Sequence, residues 1–184
     1  TGFYSCKFIN PVVKKVDVRN YDLDLVEIRY AEVLLNYAEA MYELGTTGKA
    51  LDDALNISLN LVRLRVNPDM PKLTTSFASE NSLNMREEIR RERTIELYNE
   101  GFRVDDLKRW NTAIVEMPKP ILGVKWTGTD FATSWAGASN MAKDSDGCLI
   151  LENSRRWGSK NDLYPLPVDQ CQLNPNLGQN PGWQ

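Results

Sequence analysis

"RRERTIELYNEGFRVDDLKRW", Arg90 to Trp110, sets six basic and five acidic side chains into 21 residues. Wound as a helix, it places Glu92, Glu96 and Glu100 at i, i+4 and i+8 on one face, with Ile89 and Arg93 beside them. Like charges in such a row repel unless cations answer them. Arg90, Arg93 and Arg103 are in reach along the chain, and Arg109 and Asp106 join them if a break at Gly101 folds the short following helix back. One reading is a catalytic carboxylate pair, because glycoside hydrolysis needs two acids and no histidine. Another is a patch for nucleic acid, but the five acids cancel the attraction of the six bases. The third, which we prefer, is a structural ion-pair network of Arg90, Glu92, Arg93, Glu96, Glu100, Arg103, Asp106 and Arg109. Arginine-rich surroundings lower a carboxyl pKa, whereas a general acid needs it raised.

Composition narrows the function classes further. The chain has 184 residues, 42% of them hydrophobic, a length suited to one domain with a sizeable core. Its formal net charge is -3, so the molecule as a whole is not drawn to phosphate or anionic lipid. It contains no histidine, which removes Ser/His/Asp and Cys/His nucleophile systems and HExxH metalloproteases. Cys6, Cys148 and Cys171 stand far apart with no CxxC; a Cys148–Cys171 bridge is open, and neither zinc nor a disulfide scaffold is indicated. No apolar run approaches the roughly 20 residues needed to span a bilayer. Beginning Thr-Gly-Phe-Tyr without Met, the chain reads like a fragment of something longer.

Along the chain, residues 1–20 look extended, with Val12, Val13, Val16 and Val18 favouring one short strand. Asp24 with Glu27 resembles a capping box opening a helix that runs to Leu44 and stops at Gly45. Two apolar stripes run along it, Ile28, Ala31, Leu35, Ala38 and Tyr42, then Tyr30, Leu34, Tyr37, Met41 and Leu44, so it is expected to pack on two sides. A second helix is expected from Lys49 to Arg65, with Ala50, Ala54, Ile57, Leu61 and Leu64 on one face. Small residues at Ala38, Ala50 and Ala54 let the two axes approach, as in a tetratricopeptide unit. After a polar connection through Pro68 and Pro71, Asn84 caps a third helix with Glu87 as its partner. From Asn111 periodicity fails, and a long irregular segment follows.

Three stretches carry a family resemblance: "RYAEVLLNYAEAMYELG" (29–45), "IRRERTIELYNEGFRVDDLKRW" (89–110) and "YPLPVDQCQLNPNLGQNPGW" (164–183). In this order they resemble the signatures of the C-terminal half of the SusD/RagB family. Departures are mild: Val104 stands where an aromatic is frequent, Thr94 where Arg is common, and Lys108 replaces Arg. The resemblance implies a mainly α fold of tetratricopeptide-like helix pairs, with long irregular loops and little strand. It divides the chain, taken as one domain, into a helical scaffold (24–110), a variable loop region (111–163) and an extended tail (164–184). It also implies a binder rather than an enzyme, without a cofactor. Such a protein would be lipid-anchored through a preceding portion on the outer face of the outer membrane. It would capture a glycan, or another nutrient, and hand it to a SusC-like TonB-dependent transporter. An alternative is a helical module that docks on the transporter without touching glycan. In the family the charged motif serves as scaffold, which agrees with the network reading.

Ligand contacts are sought where aromatics and polar groups share a loop, because sugar rings stack on aromatic faces while amides, carboxylates and guanidinium groups bind hydroxyls. "VKWTGTDFATSWAGASN" offers Trp126, Asp130, Phe131, Trp135 and Asn140; "ENSRRWGSKND" offers Asn153, Arg155, Arg156 and Trp157. Trp110, at a helix end inside the charged motif, is expected to be structural. "KDSDG" (143–147) resembles a piece of a calcium loop but lacks the later acidic ligands, so it is read as a turn and no metal site is expected.

Overall fold

A computed structural model describes Lys7 and residues 26–183. The strand expected in 1–20, Asp24 and Cys6 fall outside them. The chain divides into two compact units, Phe8–Arg103 and Val104–Gln184 with the first seven residues.

The first unit is helical. Helix α1 (Tyr30–Glu43) begins after Arg29, whose extended backbone makes it the N-cap, so Glu27 and Ile28 precede the helix instead of opening it. It ends in a paired turn: the Gly45 N–H donates to the Tyr42 carbonyl and the Thr46 N–H to that of Met41, which requires the positive φ of Gly45 (82°). Of the two stripes on α1, the first supplies buried Leu35 and Ala38 and half-buried Ala31 and Tyr42, while Tyr30, Tyr37 and Leu44 of the second are exposed. Among the described residues α1 therefore packs on one side.

The expected second helix is two, α2 (Gly48–Asn56) and α3 (Leu59–Val66). They part at Ile57–Ser58, where the buried Ser58 hydroxyl donates to the Ala54 carbonyl at 2.6 Å and competes with the helical pattern. The face turned inward is Leu51, Ala54, Leu55, Leu59 and Val62; Ala50, Ile57 and Leu61 are exposed. The segment is apolar on two neighbouring rows, and packing against α1 selects one of them. Within the polar connection lies a further helix, α4 (Thr75–Glu80), capped by the Thr74 hydroxyl accepting from Phe77 N–H. Asn60 fixes the chain before it, its amide donating to the Leu73 carbonyl (3.0 Å) and accepting from the Leu73 N–H (2.7 Å). Helix α5 (Met85–Glu96) starts with the Asn84 side-chain Oδ1 accepting from the Glu87 N–H. The core of this unit gathers Leu35, Leu51, Leu55, Leu59, Leu73, Ile89 and Leu97.

The second unit opens with α6 (Arg103–Arg109), then α7 (Ala113–Glu116). The segment without periodicity contains an antiparallel pair, β1 (Ile121–Lys125) and β2 (Cys148–Glu152), with Leu122 opposite Ile150 and Lys125 opposite Cys148. Register shifts between the paired positions erase the two-residue alternation that marks a strand in sequence. The connection carries the single helical turn α8 (Phe131–Ser134). Trp110 is buried with Leu107 and Ala113. The tail holds a six-residue helix, α9 (Val168–Leu173), and fastens to itself and to the segment just before it. The Gln179 side chain accepts from the Leu166 N–H and donates to its carbonyl, and the Trp183 indole donates to the Lys160 and Leu163 carbonyls.

Candidate functional site

The charged motif is the densest ionic region of the helical unit, and most of its partners come from elsewhere in the chain. Helix α5 ends at Glu96, earlier than the expected break at Gly101, and the chain then turns through Asn99 (φ 62°) and Gly101 (φ 87°). Glu100 therefore sits in the turn after the helix, where it faces the same cation as Glu96. That cation is Arg29: its Nε and Nη2 meet the two Glu100 carboxylate oxygens at 2.7 Å, and its Nη1 meets Glu96 Oε1 at 2.5 Å. Arg65 adds a second contact to Glu96 at 2.7 Å, and Arg63 lies 3.5 Å from Glu92. Of the cations expected from the sequence, Arg90 reaches Glu43 (3.6 Å), Arg93 donates to the Asn36 side chain (2.7 Å), and Arg103 donates to the Thr94 hydroxyl (2.8 Å). In the second unit Arg109 pairs with Asp106 at 2.9 Å.

The hydrogen bonds of Glu100, ahead of those of Glu96, hold the Arg29 guanidinium above its ordinary pKa. Glu92 departs from the sequence argument: burial pushes its carboxyl upward, and Arg63 offsets only part of that. Around these groups the geometry is that of an interhelical clamp. It ties the start of α1 and the end of α3 to the end of α5, and Glu96 Oε1 and both Glu100 carboxylate oxygens are met by guanidinium nitrogens.

Two cavities of the helical unit are lined by described residues. One of about 370 Å³ is lined by Arg29, Tyr30, Leu34, Leu61, Val62 and Arg65; both of its arginines are engaged with Glu96, which leaves apolar walls. The other, of about 300 Å³, is lined by Tyr42, Thr46, Thr47, Leu51, Thr75 and Met85 among others. Neither includes a tryptophan.

The aromatic candidates fall into two groups. Trp126 follows β1 and is only 6% exposed, buried with Val124, Ala138 and Leu149; it is a core side chain and not a surface for ligand. Its backbone N–H, with that of Thr127, donates to the Gly147 carbonyl and closes the base of the β1–β2 connection. Trp135 packs on it, ring centroids 6.2 Å apart and planes tilted by 57°. Trp135 itself is 40% exposed and Phe131 43%. They stand one helical turn apart, the Trp135 N–H donating to the Phe131 carbonyl at 3.0 Å. Asp130 and Asn140 are exposed on the same connection. The result is an outward aromatic step set on a buried aromatic base, with exposed Asp130 next to it in the chain.

Trp157 belongs elsewhere. Its indole donates to Asp162 Oδ1 (2.9 Å), it packs beside Leu107, Trp110 and Ala113, and the Lys108 ammonium lies 5.7 Å from its ring and 3.9 Å from that of Tyr164. Arg155 donates to the Lys119 carbonyl, and Asn153 is exposed beyond β2. Cys148 and Cys171 are free thiols, so the open Cys148–Cys171 bridge is not formed. Asp144 Oδ1 accepts the N–H groups of Asp146 and Cys148, which is the turn expected of "KDSDG". No group of His, Cys, Asp and Glu among the described residues is placed to hold a metal ion. Nor is any described helix long and apolar enough to cross a membrane.

Tetratricopeptide-like helix pairs with a strand-borne aromatic loop define a mainly α protein. Comparison with known families agrees. The model of the SusD family matches residues 1–183, and the chain belongs to that family. Among solved structures it is similar to a SusD-like carbohydrate binding protein from Bacteroides fragilis, with 31% identity and a TM-score of 0.61. It is also similar to BT4246, solved with selenomethionine, with 27% identity and a TM-score of 0.61. These matches cover 82% and 86% of this chain but only 28% and 24% of the other two, so the chain spans about a quarter of their length. No curated protein matches.

Proposed function

We propose that the protein captures a glycan at the bacterial cell surface and delivers it to a SusC-like TonB-dependent transporter. The observation that carries this reading is the Phe131–Trp135 step on its Trp126 base. Family membership and the similarity to a SusD-like carbohydrate binding protein support it. A sugar ring laid on Trp135 would bury apolar C–H surface against the indole while its hydroxyls reach Asp130 and Asn140. The family is generally outer-membrane associated and non-catalytic. A lipid anchor on the outer face fits that setting, and binding without cleavage fits a charged motif whose glutamates clamp helices. Affinity electrophoresis of the full-length protein through gels containing a panel of polysaccharides tests the proposal: retardation by at least one is expected, and none by any would refute it.

A second reading, docking on the transporter through the helical unit, is favoured by the exposed Tyr30, Tyr37 and Leu44 on α1. Co-purification with a SusC-like partner that survives Trp135→Ala but fails after Tyr37→Asp would assign docking to that face.

A further inference from the structure

We infer that the glycan taken by the Phe131–Trp135 step is uncharged, a neutral polysaccharide and not a uronic-acid or sulfated one. This rests on the proposed glycan-binding role of the step and adds the class of ligand. The connection between β1 and β2, residues 126–147, contains Asp130, Asp144 and Asp146 against the single cation Lys143, a formal net charge of -2. That one cation is half-buried and held by its own loop: Lys143 Nζ donates to the Ser139 and Met141 carbonyls at 2.8 and 2.9 Å, and it lies 5.7 Å from the Trp126 ring. A carboxylate or sulfate on the ligand would meet exposed Asp130 beside the aromatic step, and Lys143, with two of its three N–H donors given to carbonyls, has one left to answer it. Recognition of anionic groups uses guanidinium or ammonium donors aimed outward, and in the connection three carboxylates outnumber one ammonium that its own backbone holds.

What it does offer suits hydroxyls. The Asp130 carboxylate and the Asn140 amide supply acceptors and a donor, and the two aromatic side chains supply apolar surface. One turn of helix rises about 5.4 Å, comparable to one sugar residue of an extended chain, so Phe131 and Trp135 would meet neighbouring residues of one strand. Trp126 acts as a positioning residue: buried and tilted against Trp135, it fixes the ring that the ligand meets.

The test is affinity electrophoresis and calorimetry of the full-length protein with two neutral polymers, galactomannan and xyloglucan, and two polyanions, polygalacturonate and chondroitin sulfate. Each is run at about 20 mM and about 300 mM NaCl, which spans strong and weak screening. Binding to a neutral polymer is expected, with affinity changing less than about twofold between the two salts and falling about tenfold or more in Trp135→Ala. Binding to a polyanion that weakens steeply with salt overturns the inference; if Trp135→Ala also abolishes that binding, the step is still the site and only the ligand class is wrong. Neutral binding untouched by Trp135→Ala overturns the inference by placing the ligand elsewhere. Retardation by none of the four polymers overturns it as well, and if the wider panel also fails, the glycan reading falls with it.

Discussion

Replacing Arg29 with methionine removes the cation that joins Glu96 and Glu100 while keeping most of the side-chain volume. The guanidinium makes two contacts of 2.7 Å to Glu100, one of 2.5 Å to Glu96 Oε1 and one of 2.6 Å to the Glu96 carbonyl. The three side chains are 21%, 10% and 8% exposed for Arg29, Glu96 and Glu100, so solvent screens the charges poorly. Breaking a buried pair from one side costs about 3–5 kcal/mol. Glu96 keeps Arg65 at 2.7 Å, so the lower end applies, about 3 kcal/mol. For a protein of this size that is a fall in melting temperature of roughly 6–12 °C. Urea unfolding followed by circular dichroism, with thermal melts alongside, measures it. Arg29→Lys should fall between, because an ammonium cannot make the two-point contact to Glu100. A loss under about 1 kcal/mol in Arg29→Met is the range of exposed ion pairs and would refute the clamp.

Other consequences can be checked in the same preparations. Trp126→Ala should cost about 3–5 kcal/mol, as loss of a buried tryptophan does, while Trp135→Ala should stay within about 1 kcal/mol of the parent; equal losses would contradict the base-and-step arrangement. In Gly147→Ala the new methyl would stand 2.6 Å from the Thr127 Cβ at a φ of 80°, whereas at Gly128 (φ 75°) nothing lies within 4 Å. Gly128→Ala should therefore cost about 1–2 kcal/mol from backbone alone, and Gly147→Ala more than that. Because burial raises the Glu92 carboxyl above its unfolded value of about 4.3, the native state holds more protons in the window between the two. The contribution of this residue is full below the unfolded value and lost as pH rises through the folded one. Wild type should thus gain stability relative to Glu92→Gln as pH falls through that window; a flat difference would contradict the burial effect. Gln179→Ala removes both side-chain bonds to Leu166, and faster hydrogen exchange confined to the tail is expected, with no exchange change marking it as dispensable.

How much of this was readable in advance differs by element. Helix ends with local chemistry were legible: Asn84 and Gly45 act where they stand, within one turn of the chain. The division of α2 from α3 was not, because no Gly or Pro marks it and the cause is the Ser58 hydroxyl turning back on Ala54. The β1–β2 pair was invisible for a similar reason, since its register shifts break the alternation and a connection of more than twenty residues replaces a hairpin turn. In the charged motif the need for cations was legible from the spacing of three glutamates, but their identity was not. Arg29 stands 67 and 71 positions away from Glu96 and Glu100, and helical periodicity does not reach across a fold. The Glu92 carboxyl followed burial where the sequence argument had weighed only charge. Trp126 stands among Val, Lys, Thr and Gly and Trp135 among Thr, Ser, Ala and Gly, and packing is what separates the buried base from the exposed step.

The most direct measurement is a calorimetric titration of the full-length protein with its best polysaccharide ligand, repeated for Trp135→Ala and Trp157→Ala. Glycan capture at the β1–β2 connection predicts affinity reduced about tenfold or more in the first variant, with its melting temperature little changed, and near-parental affinity in the second, whose indole is held by Asp162 in a separate cluster. Unchanged affinity in Trp135→Ala would contradict it.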